Sequence, residues 1–222
     1  MKYSKFNKSE QELIERFGGI AFDKQIAIAD AIGANSWSLD MINEKINFGD
    51  AVEFSFKILG SFSRTTGTWL WAWANTAVEE SDESLLHANK LKAYGEENDV
   101  DFLKLDSFEA SNIDLHLIGL TASGFLKTTG YYIADYGTGA MVFTIQNDEI
   151  LTKEEIGCEK IETVFNQLIN DFDVSQRFAL KFYLMEKGYE VTEIGNNLTA
   201  THNAKTIFAE FDNENNLTKL NG

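Results

Sequence analysis

Two stretches of alternating residues constrain this chain more than anything else in it. In AVEFSFKILG (residues 51–60), Val52, Phe54, Phe56 and Ile58 alternate with Glu53, Ser55 and Lys57. In GTWLWAWANT (residues 67–76), Trp69, Trp71 and Trp73 alternate with Leu70, Ala72 and Ala74. A period of two sends successive side chains to opposite sides of an extended backbone, so each stretch reads as a strand with one buried face. The polar SFSRTTG between them ends in glycine, and residues 51–74 are expected to form a β-hairpin with a loop longer than two residues. Each tryptophan can bury on the order of 200 Å². Three on one face, left in water, exceed the apolar patch a monomer tolerates. Two arrangements answer this. Beside Phe54 and Phe56 the tryptophans are core; beside Glu53 and Lys57 they floor a half-open aromatic groove with charged edges. The candidate ligand- or partner-binding residues are therefore Trp69, Trp71 and Trp73, with Asn75 closing the run and Arg64 in the loop before it.

The other segments follow from the same periodicities. Helical spacing of Leu13, Phe17, Ile20 and Ala21, with Ser9 and Glu12 as a capping pair, predicts a helix from about residue 9 to 32. Gly18-Gly19 weakens its middle and Gly33 ends it. SWSLDMI and INFGD read as short strands, and residues 81–98 as a helix whose early acids suit the positive end of its dipole. A second helix, residues 112–126, carries small residues at Gly119, Ala122 and Ser123, a face expected to pack closely on the Leu70/Ala72/Ala74 side of the tryptophan strand. YYIADYGTGAMVFTIQ (residues 131–146) reads as another hairpin. After a linker in NDEILTKEEIG come helices at 161–170 and 175–187, three short strands (YEVTEI, LTATH, TIFAEFD) and a last apolar LTKL. The prediction is an α+β fold: an antiparallel sheet with helices packed on one face, plus a small C-terminal αα-βββ unit. Residues 1–147 are expected to form the α+β domain with the tryptophan strand, and residues 148–222 the small tail domain.

Charge limits the partners. The chain has 35 acidic and 19 basic residues, a net −16. A field of that sign repels nucleic acid phosphates and anionic lipid and attracts basic surfaces. No apolar run reaches the ~18 residues a membrane helix needs, and the N-terminus lacks the apolar core of a signal peptide, so the expected compartment is the cytoplasm. Cys158 is the only cysteine, flanked by acids that raise a thiol pKa. His87, His116 and His202 have no metal-ligand spacing. DNENN (residues 212–216) lacks the glycine of a calcium loop and reads as a turn, and GTG (137–139) is followed by a strand, the wrong context for dinucleotide binding. No catalytic residues, metal or cofactor are predicted.

TWLWAWAN (68–75), the helix ending AYGEEND (93–99), the small-residue helix and GYYIADYGTGAMVFTI (130–145) together resemble a family of uncharacterised bacterial proteins, a domain of unknown function. The resemblance covers about residues 22–145. Family members often carry proline after the asparagine, where this chain has Thr76. The resemblance implies a bacterial intracellular protein with a shared α+β fold, and it carries no established activity. Three functions remain open: an acidic interaction protein of immunity or regulatory type that binds a basic macromolecule, a small-ligand protein using the tryptophan face, and an enzyme of unrecognised type.

Overall fold

The computed structural model describes residues 7–50, 52–77, 81, 83–151 and 158–222. Helix α1 (Lys8–Leu13) is capped two residues before the Ser9 expected from sequence. Asn7 caps it, accepting the Glu10 amide while the Glu10 carboxylate accepts the Asn7 amide. A π-helical turn (Ile14–Gly18) leads into α2 (Gly19–Ile32). The glycine pair does not interrupt the helical run; it lets neighbours in. A Cβ on Gly19 would lie 2.6 Å from Cβ of Tyr183.

Backbone contacts divide the chain into two units, one of residues 24–153 and one of residues 1–23 with 154–222. The sequence placed a single break near residue 147. The contacts add a second crossing at 23/24, which groups the first helical residues with the tail. Part of the expected linker, residues 152–157, lies outside the described residues.

The larger unit holds β1 (Trp37–Asp40), β2 (Lys45–Phe48), β3 (Val52–Ser63), β4 (Thr68–Trp71), β5 (Ser107–Glu109), β6 (Gly130–Asp135) and β7 (Gly139–Gln146) in one antiparallel sheet. The twelve-residue β3 is its spine. One edge of β3 pairs with β7; the other pairs with β2 near its start and with β4 near its end. The expected hairpin is present, with Arg64–Gly67 as its turn and Gly67 at φ +64°. Much of the predicted loop is strand: β3 runs on to Ser63.

Register overturns the two expected pairings of the tryptophans. Trp71 faces Gly60 and Trp69 faces Phe62, so neither Phe54/Phe56 nor Glu53/Lys57 lies across from them. The cause is a bulge: Ile58 pairs with Phe143, but Gly60, not Leu59, pairs with Val142. One extra residue reverses the sides of everything beyond it. Phe54, Phe56 and Phe143 therefore join Ile46, Phe48 and Ile28 in a core on one face. Gly60, Phe62, Trp69 and Trp71 share the opposite face with Lys57 and Thr144.

That opposite face is covered by α3 (Leu86–Asn98), α4 (Asp101–Lys104) and α5 (Asn112–Phe125). α5 begins with a Ser111–Asp114 capping box and is buried from Leu117 through Gly124. Its small residues serve close packing as read from sequence, but the partner differs. Gly119 lies over Tyr131 of β6, where an added Cβ would sit 2.1 Å from the ring. The tryptophan strand is shorter than its alternation suggests: after Trp71 the chain turns into a 3-10 helix (Ala72–Ala74), so Trp73 leaves the strand pattern. A short α6 (Asp148–Leu151) follows β7.

In the smaller unit, α7 (Cys158–Asp171) and α8 (Gln176–Glu186) precede a four-stranded antiparallel sheet of β8 (Glu190–Ile194), β9 (Asn197–His202), β10 (Lys205–Phe211) and β11 (Leu217–Asn221). The predicted αα-βββ unit is there, with the terminal LTKL adding a fourth strand beside β10. Asp23, 0% exposed, ties the first helices to α7 and α8. It accepts hydrogen bonds from Lys187 Nζ at 2.8 Å and Tyr183 Oη at 3.0 Å, and pairs with Lys160 Nζ at 2.7 Å. No helix of the described residues is long and apolar enough to cross a membrane.

Candidate functional site

Trp69 and Trp71 are each 0% exposed. Their rings meet edge to face at 5.4 Å, and Trp73 stacks on Trp71 at 4.5 Å with Lys92 Nζ 5.4 Å from its centroid. The aromatic run is a core feature under α3 and α4, and only Trp73 of the three is partly exposed. Arg64 does not present a free charge. It pairs with Asp135 and donates to Asn112 Oδ1 at 3.0 Å. Asn75 lines a different cavity, of about 380 Å³, whose floor is the other side of the same strands at Leu70 and Ala72. The candidate residues are thus split between a buried core, a neutralised ion pair and an apolar hollow.

The buried tryptophans have a second consequence: they hold an acidic edge in place. Trp71 donates its indole N–H to the Phe102 carbonyl at 2.9 Å and its amide to the Asp106 carbonyl at 3.1 Å, and Trp69 pairs with Phe108 across β4–β5. The segment that contains these anchors carries Glu96, Glu97, Asp99 and Asp101 before the first of them, Asp106 among them and Glu109 after the last, all six exposed, with Lys104 as its one basic residue. Lys104 bridges Asp99 and Asp101, which leaves the segment strongly negative.

Sequence reasoning missed a polar cavity of about 470 Å³ between α3 and the β3–β7 ladder. Lys57 Nζ lies 2.5 Å from Glu44 and 3.6 Å from Glu83. Burial pushes the Glu44 carboxyl up, but hydrogen bonds from Lys57 and Ser84 and the charge of Lys57 hold it below the usual carboxylate range. His87 Nδ1 is 2.6 Å from Thr144 Oγ1. Burial, and then the charges of Lys90 and Lys57, push the imidazole down to about 4 against the pull of Glu44, so the ring is neutral at pH 7. These groups come from residues 44, 57, 83, 87 and 144. The only local signal was the alternation that sends Lys57 away from Phe54 and Phe56.

The remaining histidines and the cysteine do not line this cavity. His116 Nδ1 meets the Tyr131 hydroxyl at 2.9 Å, and burial raises the Tyr131 pKa. His202 Nδ1 meets the Gly188 carbonyl at 2.8 Å. Burial and then the charges of Glu162 and Glu159 raise the Cys158 thiol, the direction its acidic neighbours predict. Asp212 caps its own turn through the amides of Glu214 and Asn216. No group of three or more His, Cys, Asp or Glu side chains among the described residues is placed to hold a metal ion.

Compared with known proteins, the chain matches one family model over residues 11–148, described as a family of unknown function (DUF6882). No curated protein and no solved structure matches.

Proposed function

We propose that this chain, which belongs to that family of unknown function, is an acidic cytoplasmic binding protein of bacterial origin, of immunity or regulatory type, that engages a basic macromolecular partner. The net charge of −16 carries this reading. A single-sign field of that size speeds encounter with a cationic surface and disfavours nucleic acid and anionic lipid. The segment from Glu96 to Glu109 supplies acids for it, since its six acidic side chains are exposed and its backbone is tied to the tryptophan strand at Phe102, Asp106 and Phe108. A rigid charged rim loses little conformational entropy when a partner docks, which favours affinity.

The test uses the full chain as bait in host lysate, beside a variant carrying Glu97→Lys, Asp106→Lys and Glu109→Lys. A basic protein should bind at low salt, leave the column as salt rises, and fail to bind the charge-reversed variant. Retention that ignores both salt and charge reversal would overturn the reading.

A further inference from the structure

The cavity beside His87 has a hydrogen-bonding inventory of its own. Its hydroxyl protons are already committed to backbone carbonyls. Ser55 donates to Gln146 at 3.3 Å, Thr128 to Gly130 at 3.0 Å and Thr144 to Lys57 at 3.4 Å. A hydroxyl has one proton and two lone pairs, so what these three groups still offer a ligand is acceptor capacity.

The two contacts of the Thr144 hydroxyl set the histidine tautomer. Thr144 can satisfy both of its contacts at once only if its proton goes to the Lys57 carbonyl and its oxygen accepts from His87 Nδ1–H. Nε2 of the neutral ring then carries a lone pair. The carboxylates of Glu44 and Glu83 add further acceptors. Among the described residues lining the cavity Lys57 is the one cationic donor, and it is already turned towards both acids. Among the described residues, two carboxylates against one ammonium and a neutral imidazole leave the lining negative.

We infer that this cavity binds a cation rich in N–H donors, an alkylammonium or guanidinium group, held by Glu44, Glu83 and Nε2 of His87. Its volume lies within the ~300–1,000 Å³ range of small-ligand sites. Glu83, with a side chain 84% exposed and only a 3.6 Å contact to Lys57, is free to swing onto the incoming cation. The group can belong to a free small amine or to a lysine or arginine side chain of a partner. The site needs neither the Glu96–Glu109 rim nor a macromolecular partner to be real.

Titrating the full chain with agmatine, spermidine, N-acetylarginine amide and succinate, by calorimetry and by the imidazole resonances of His87, tests this. The cations should bind and shift His87, and Glu83→Gln should weaken them roughly tenfold or more, the loss expected for one charged contact. Because Glu83 is exposed, that variant keeps the fold. Glu97→Gln, on the distant rim, should change nothing. Binding of agmatine or spermidine points to a free amine; binding of the capped arginine alone points to a partner side chain; either supports the site. Failure of every cation to shift His87, equal weakening by Glu97→Gln, or succinate binding in their place would overturn it.

Discussion

At the scale of the residue, Trp69 and Trp71 separate what burial means from what bonding means. Both are 0% exposed, two positions apart on β4. The Trp71 indole N–H has the Phe102 carbonyl at 2.9 Å, whereas the Trp69 indole N–H is buried with no acceptor among the described residues. Replacing either by phenylalanine loses packed volume. Only at Trp71 does it also strand a buried carbonyl, and at Trp69 it removes an unpaired donor. Trp71→Phe should therefore destabilise by about 1–2 kcal/mol more than Trp69→Phe. Urea unfolding of the two variants checks this, and equal midpoints would mean the Phe102 bond contributes nothing net. The alternation of TWLWAW was enough to say that these side chains need cover. It held no information about a carbonyl thirty-one residues away, and so could not rank them.

At the scale of the element, β3 and α5 show how a small defect or a missing side chain steers a whole segment. The extra residue at Leu59 moves Trp69 and Trp71 to the side opposite Phe54 and Phe56, and with them the cover of α3, α4 and α5. Sequence pattern alone treats the faces of a strand as continuous, which is why both expected pairings failed. Helix α5 was readable as one with a close-packing face, because Gly119, Ala122 and Ser123 recur at helical spacing; its target was not. Gly119→Ala puts a methyl 2.1 Å from the Tyr131 ring, and α5 must lift from β6 to admit it. The expected cost is about 1–3 kcal/mol, read by thermal or urea unfolding. It should shrink when Tyr131→Leu is added, since the clash is with the ring itself.

At the scale of the whole molecule, Asp23 explains why the first helical residues group with the tail. Its carboxylate is enclosed by Lys160 from α7 and by Lys187 and Tyr183 from α8, and the Lys187 side chain is only 1% exposed. Asp23→Asn takes away the buried carboxylate that Lys187 and Lys160 both face, a change that costs about 3–5 kcal/mol. Hydrogen exchange should report it as lost protection in α7 and α8, and Lys187→Met on the Asp23→Asn background should restore much of it. Burial raises the Asp23 pKa, but the bonds and charges of Lys160 and Lys187 outweigh it and the net shift is downward. A carboxyl lowered on folding contributes its full stability above its unfolded value, near ~3.9, and loses it as pH falls through the folded value. Acid should thus weaken this unit below about pH 4, and Asp23→Asn should flatten that dependence. The period of most segments, the residues that had to be covered, the α+β class and the sign of the net charge are legible in the amino-acid order, because they depend on neighbours a few positions away or on simple sums of charge. Which face the tryptophans take, which helices cover them, and the meeting of Glu44, Lys57, Glu83, His87 and Thr144 around one cavity emerge only in the folded chain. Those outcomes rest on strand register and on contacts between segments far apart in the chain, and no local pattern encodes them.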